Sequence, residues 1–310
     1  MEKMTSISVI IPAHNAALTL ENSVKSALDQ TRPPSEILIV ENGSSDHTLL
    51  IAERLAEIHP SVTVMQSETG VSNARNLGIK SATSDYIAFL DADDTYYTDA
   101  FYTLGHFLDR HSVDFVKGNL VHDFSDATRI WRPSLRAYNV PRNIEMEPDY
   151  SDFVAIYCGL YRRSFLSRFD TPFPIDVHTA EDRVFVWDTL LSGSTFIHID
   201  KVVYLYNRTS ETSVLRKVDG AHFDLFKAYA EIRQRNNILE SPEIEYKFWL
   251  QYVSLMEFSY FADGRLTDEG KKRWLSECRK ALKPIAKGPI VKRIMNGNSK
   301  RRRSFVASLL

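Results

Sequence analysis

Three carboxylates in close succession end an apolar run, where Tyr86-Ile87-Ala88-Phe89-Leu90 leads into Asp91-Ala92-Asp93-Asp94. Carboxylate oxygens are hard ligands suited to Mg²⁺ or Mn²⁺. A buried strand that delivers them to its carboxyl end puts them where open α/β sheets bind ligands. The combination points to a divalent cation and a phosphate group. The same residues also read as helix punctuation, with Asp94 or Thr95 capping a helix that starts near Tyr97.

Four further segments carry polar chemistry in a fixed order. The apolar run Ile7 to Ile11 ends in Pro12-Ala13-His14-Asn15, and Ile37 to Val40 ends in Glu41-Asn42-Gly43-Ser44-Ser45-Asp46. Gly70-Val71-Ser72-Asn73-Ala74-Arg75-Asn76-Leu77-Gly78 starts a helix with a cation in its first turns, and Thr179-Ala180-Glu181-Asp182 opens a helical pattern that runs from Arg183 to Leu191. Each has a plainer reading. His14 can be an exposed loop histidine, Asn42-Gly43-Ser44 a turn, Arg75 a surface arginine paired with Glu68 or Asp46, and Glu181-Asp182 acids that favour a helix N-terminus.

The periodicities predict strands at 6–11, 36–41, 61–65 and 85–90, with helices at 16–30, 46–58 and 71–81 between them. A helix near 98–110 and a strand near 113–120 continue the alternation, which belongs to a mainly parallel sheet with both faces covered. Residues 123–150 show no period and read as a long functional loop. A helix at 182–192 precedes two strands, 196–199 and 202–206, and from about Val218 the pattern is helical, so the expected division is 1–217 and 218–310.

This ordered series resembles the inverting family-two glycosyltransferases of the GT-A fold over roughly residues 5–215. The resemblance implies a Rossmann-like, mainly parallel mixed sheet with flanking helices and a C-terminal helical appendage. It implies transfer of a sugar from a nucleotide diphosphate donor, UDP favoured, to a hydroxyl of a cell-surface glycan, a teichoic-acid-like polymer or a lipid-linked acceptor. By the same resemblance Asp93 binds Mn²⁺ or Mg²⁺, with Asp91 beside it near the ribose or a metal-bound water. Pro12, Ala13, His14, Asn15, Glu41, Asn42 and Arg75 hold the nucleotide, and Arg208 contacts the diphosphate. Asp182 is the base that takes the acceptor proton, with Glu181 and His178 near acceptor or sugar hydroxyls. Two departures stand out. Glu41-Asn42 replaces the usual pair of acids, although an amide offers both donors and an acceptor for a pyrimidine. No histidine accompanies Arg208 and Thr209.

With 310 residues the chain can bury one large α/β domain and a smaller appendage. Cys158 and Cys278 lie far apart without metal-ligand spacing, which suits a reducing cytoplasm. No eighteen-residue apolar window occurs and the first strand begins almost at once, so neither a membrane-spanning helix nor a secretory signal is expected. Residues 264–310 hold fourteen Lys or Arg against three acids, on a chain of net charge −2. In residues 271–303 cations alternate with Trp274, Leu275, Leu282, Ile285, Ile290, Val291 and Ile294, the pattern of a helix lying on an anionic membrane, or of a solvated basic face on helices that pack against the catalytic domain or form an oligomer contact. Peripheral attachment at the inner face of the plasma membrane follows as an expectation. Two other classes compete: a nucleotidyltransferase, whose Gly-rich triphosphate loop is missing after the first strand, and a non-catalytic membrane or nucleic-acid binder, which the acidic body disfavours.

Overall fold

The computed structural model describes residues 5–124, 127–207, 218–236, 241–297 and 299–310. Its contacts divide the chain into two units, one of residues 1–176 with 192–211 and one of residues 177–191 with 212–310. A single cut at 217 is therefore not what the structure has. The helix that begins at Glu181 groups with the C-terminal helices, because its apolar side chains are completed by theirs.

The first unit begins with the expected alternation: β1 (Ile7–Ala13), α1 (Leu20–Leu28), β2 (Glu36–Glu41), α2 (Thr48–Ile58), β3 (Val62–Gln66), α3 (Val71–Ser81) and β4 (Tyr86–Phe89). Next come β5 (Thr95–Tyr96), α4 (Ala100–Arg110), β6 (Phe115–Phe124), β7 (Ala127–Trp131), β8 (Gly159–Arg162), the single turn α5 (Arg163–Leu166) and, after a return from the second unit, β9 (Phe196–Asn207). All nine strands form one sheet in the order β3-β2-β1-β4-β8-β6-β9-β5, with β7 on β6. β8 runs against both β4 and β6, so β1, β2, β3, β4, β6 and β9 share one direction. Every residue of β1 and β4 is buried, as their unbroken apolar runs require of strands covered on both faces.

The order 3-2-1-4 positions the site. The chain steps outward from β1 to β3 and then returns past β1 to lay down β4, and right-handed crossovers set α3 on the face opposite α1 and α2. The reversal falls between β1 and β4, whose registers pair Ile10 with Phe89, so their carboxyl ends open side by side. Residues 123–150 are more ordered than their composition suggests, since β6 extends to Phe124 and turns back as β7. The two short strands expected around Asp200 are one strand, β9, with a register irregularity against Gly118. A side chain at 118 would meet the Lys201 carbonyl at 2.8 Å, so the irregularity needs glycine there.

The second unit holds α6 (Glu181–Leu191), α7 (Asp224–Arg235), α8 (Pro242–Phe261), α9 (Asp268–Leu282), α10 (Pro289–Met295) and α11 (Lys300–Ala307). Ser241, Thr267 and Ser299 cap α8, α9 and α11 by accepting from the N–H groups of Ile244, Gly270 and Arg302. Its aromatic-rich sequence is a core of Trp187, Tyr229, Phe248, Trp249, Tyr252 and Trp274. Three polar tips find partners there: Trp187 Nε1 and Tyr229 Oη both donate to Gln251 Oε1, and Trp274 Nε1 donates to the Met256 carbonyl.

Gly78 lets α3 lie on β1, since a Cβ at that position would stand 2.4 Å from Ile10 Cγ2. Glycine to alanine in a helix interior ordinarily stabilises by up to about 1 kcal/mol. Here Gly78→Ala is expected to destabilise by about 1–3 kcal/mol through overpacking. Denaturant unfolding reads the sign, and a more stable variant refutes the close approach.

Candidate functional site

At the β1 and β2 ends the two loops are fastened to each other. Asn15, at φ 49°, accepts the Ser45 N–H at 2.8 Å on its side-chain oxygen and donates its own N–H to Ser44 Oγ at 3.0 Å. Asp46 accepts from the Ala17 and Thr48 N–H groups, and Thr48 Oγ1 accepts from Ala16. Burial works against the Asp46 charge, but these hydrogen bonds outweigh it and hold the carboxyl below its usual range. Glu41 points inward and accepts the Ser44 N–H. Gly43, at φ 86°, leaves room for Thr69 Oγ1, which a Cβ would meet at 2.4 Å.

Asn42 is only 3% exposed. Its amide nitrogen donates to the Ala13 carbonyl at 3.0 Å and its oxygen accepts the Gly70 N–H at 3.3 Å, so one side chain joins β1, β2 and the start of α3. The sequence suggested this amide for reading a base; a donor and an acceptor position are already committed to main chain. His14, whose Nδ1 lies 3.2 Å from the Asn42 carbonyl, and Asn15 reach solvent at this corner, as do Gly43, Ser45 and Asp46, while Pro12 and Ala13 are buried.

The three carboxylates after β4 have three different environments. Asp91 Oδ1 accepts from Arg75 Nη2 at 2.9 Å, and the Asp91 N–H donates to Tyr204 Oη at 3.2 Å. Asp94 is 2% exposed and accepts from Tyr204 Oη at 2.9 Å and the Asn207 N–H at 2.7 Å. Burial pushes the Asp94 carboxyl well above its usual range, and the charges of Asp91 and Asp93 push it the same way. Asp94 is therefore an internal strut, and α4 starts only at Ala100, so neither Asp94 nor Thr95 caps it.

Asp91 and Asp93 remain as half-buried hard donors. No group of three or more His, Cys, Asp or Glu side chains among the described residues is arranged to hold a metal alone. That donor set fits a cation such as Mg²⁺, which keeps water and takes further oxygens from a bound diphosphate, and not a closed protein cage.

Arg75, 4% exposed, is held on two sides. Its ion-pair partner is Asp91, not Glu68 or Asp46, and its guanidinium lies 5.3 Å from the centre of the Phe173 ring. Phe173 is fixed in turn. Its N–H donates to Asn76 Oδ1 at 3.0 Å, its carbonyl accepts from Asn76 Nδ2 at 2.7 Å, and its ring meets Phe89 edge-on at 5.6 Å.

In the second unit, Glu181 and Asp182 are half-buried at the start of α6, whose next seven residues, Val184 to Leu190, are buried. Asp188 anchors the far end to Arg235 at 3.0 Å. Ala180 enters the helix at φ 71°, a left-handed conformation that costs an L-residue about 1–2 kcal/mol and that concentrates at functional sites. His178 is exposed and its N–H donates to Asp224 Oδ2 at 2.8 Å. Arg208 lies outside the described residues.

Residues 8–169 match the sequence profile of glycosyl transferase family 2. The chain belongs to this family. An uncharacterized glycosyltransferase EpsJ of Bacillus subtilis is 31% identical over 209 residues, covering 64% of this chain and 60% of that protein. The poly(ribitol-phosphate) beta-N-acetylglucosaminyltransferase TarP of Staphylococcus aureus is 21% identical over 296 residues, 91% of this chain and 90% of that one. The structure of S. aureus TarS 1–349 in complex with UDP superposes with a TM-score of 0.74 at 19% identity, covering 98% of this chain and 87% of that one. At that identity the likeness is one of fold, the GT-A fold with added C-terminal helices.

Four residues of this family 2 site escaped the sequence reading: Asn76, Phe173, Tyr204 and Asn207. Asn76 sits inside the quoted helix motif, but its partner is 97 positions away. Tyr204 and Asn207 meet Asp94 across a gap of more than a hundred residues, and no local pattern announces such pairs. Phe173→Leu keeps apolar volume but removes the ring face beneath Arg75. It is expected to cost less than about 1.5 kcal/mol in stability and to weaken nucleoside diphosphate binding roughly 3- to 10-fold, while Phe173→Tyr stays near wild type. Calorimetric titration with UDP beside denaturant unfolding separates the two effects; unchanged affinity in Phe173→Leu leaves the ring a packing role only.

Proposed function

We propose that this chain transfers a sugar from a nucleotide diphosphate donor, a UDP-sugar, to a hydroxyl of a cell-envelope glycan or lipid-linked acceptor, with inversion at the anomeric carbon. The observation that carries the proposal is the ion pair of Arg75 with Asp91 at the end of β4, with Asp93 two residues on, where the strand order reverses. A nucleotide at this crevice finds the exposed His14 ring for its base. A Mg²⁺ or Mn²⁺ held by Asp93 with Asp91 supplies charge that stabilises the departing diphosphate.

The remaining work falls to side chains. Arg75 neutralises Asp91 and fixes its orientation, so that the carboxylate edge offered to the donor is set before binding. Asp182 removes the proton from the acceptor hydroxyl as that oxygen attacks from the side opposite the diphosphate. Glu181 and His178 contact acceptor or sugar hydroxyls. The UDP complex of the TarS structure and the activity for which TarP is named support a UDP-sugar and a cell-envelope polymer.

The test is release of free nucleoside diphosphate from a panel of nucleotide sugars, with and without Mn²⁺. Asp93→Asn is expected to lose metal-dependent donor binding and on the order of a thousandfold in rate. Asp182→Asn should bind the donor normally and fail to transfer, since proton removal matters for attack and hardly for ground-state binding. Equal loss of donor affinity in both variants overturns the base assignment. An α-linked donor is expected to give a β-linked product, and retention excludes direct displacement. Attack on a nucleoside triphosphate, with pyrophosphate released, would make the chain a nucleotidyltransferase instead.

A further inference from the structure

Residues 264–310 carry seven arginines and seven lysines, and the structure uses the two kinds differently. Every arginine is engaged inside the C-terminal unit. Arg293 pairs with Glu243 and lies over Tyr246, Arg301 and Arg302 share the buried Glu257, and Arg303 and Arg279 donate to the carbonyls of Gly297 and Ser308. Arg265 and Arg273 lie over the rings of Phe258 and Phe223. Among the described residues Lys280 is the one lysine of this stretch with an acidic partner, Glu277. Lys272, Lys283, Lys287, Lys292 and Lys300 are exposed, and none has an ion pair or side-chain hydrogen bond among the described residues.

Two of these lysines, Lys272 within α9 and Lys283 at its C-terminal cap, lie on one side of that helix. Trp274, Cys278 and Leu282, four apart, form its buried stripe, while Lys272, Ser276, Arg279 and Lys283 follow one another at helical spacing on the opposite, exposed side. Trp274, Leu282, Ile285, Ile290, Val291 and Ile294 are all buried. That corrects the picture of cations alternating with membrane anchors, because six of those seven apolar groups form the unit's own core and only Leu275 among them is half-buried.

We propose that the lysine face of α9, α10 and their connecting loop docks on an anionic phospholipid bilayer through its electrostatic field alone. Arginine's planar fork is the group for a shaped phosphate pocket, and here the arginines are spent on internal contacts. What remains outside is a set of compact, hydrated point charges. Such an array suits a plane of headgroups better than a groove for a single anionic polymer. The rest of the chain is acidic, so the same field that draws this face to the bilayer turns the remainder away. Attraction of this kind falls off within a Debye length and is screened by salt.

The experiment is co-sedimentation of the full chain with vesicles of phosphatidylcholine alone and of phosphatidylcholine with phosphatidylglycerol, at low and high salt. Binding is expected only to the phosphatidylglycerol vesicles and only at low salt. The combined variant Lys272→Gln, Lys283→Gln, Lys287→Gln, Lys292→Gln should bind several hundredfold more weakly, at roughly fivefold for each lysine near the surface. Its near-ultraviolet circular dichroism and its release of nucleoside diphosphate in solution should match wild type, because none of these lysines belongs to the donor or acceptor machinery. Equal binding to both vesicle types, wild-type binding by the variant, or binding to soluble polyphosphate without binding to phosphatidylglycerol vesicles each overturns the proposal. None of these outcomes bears on sugar transfer, which is measured without vesicles.

Discussion

A buried guanidinium has to be paired, and the Arg75–Asp91 pair is the constraint around which the crevice at the carboxyl ends of β1 and β4 is arranged. Its two ends come from different elements, α3 and the carboxyl end of β4. α3 reaches the sheet only because Gly78 admits Ile10, and its first turn is tied by Asn42 to the ends of β1 and β2. Phe173 closes another side, held by two hydrogen bonds exchanged with Asn76 one residue beyond the arginine. Removing Asp91 strands the Arg75 charge in a nearly dry position, so the guanidinium and the packing around it depend on that carboxylate.

Environment also divides the labour among chemically equal groups. Asp91, Asp93 and Asp94 are neighbours in sequence, yet one is bound to a guanidinium, one stays half-buried at the crevice, and one is turned inside against Tyr204 and Asn207. The same logic separates the cations of the C-terminal unit, where arginines hold helices together and lysines face solvent. Glu257, 3% exposed, shows the structural side of that division: it fastens α11 to α8 through Arg301 and Arg302.

The boundary between the two units cuts through the expected catalytic region because helices and strands ask for different neighbours. β9 is completed by β6 in the sheet, whereas α6, a few residues earlier, buries Trp187 and Phe185 on nearly its whole circumference. A helix buried that fully needs other helices around it, and α7 and α8 provide them. Glu181 and Asp182 thus stand in the half-buried first turn of a core helix, and the left-handed Ala180 sets the direction from which the chain enters it.

The parallel strands, their order of appearance and the polar groups at their ends were legible in the sequence, because each depends on residues within one element. Apolar runs, Gly-Ser turns and the acidic pair before a helical period all act locally, and the family resemblance they carry agrees with the profile match. Tertiary structure alone decided what each polar group faces. Arg75 could have paired with Glu68 or Asp46, Asn42 could have kept its amide free, and the apolar residues of 271–303 could have pointed to lipid; the structure gives them Asp91, the Ala13 and Gly70 main chain, and a protein core. The physical reason is one of range. Secondary structure and capping are settled over three or four residues, whereas ion pairs, ring contacts and burial are settled by which distant segments the sheet order and helix packing bring together.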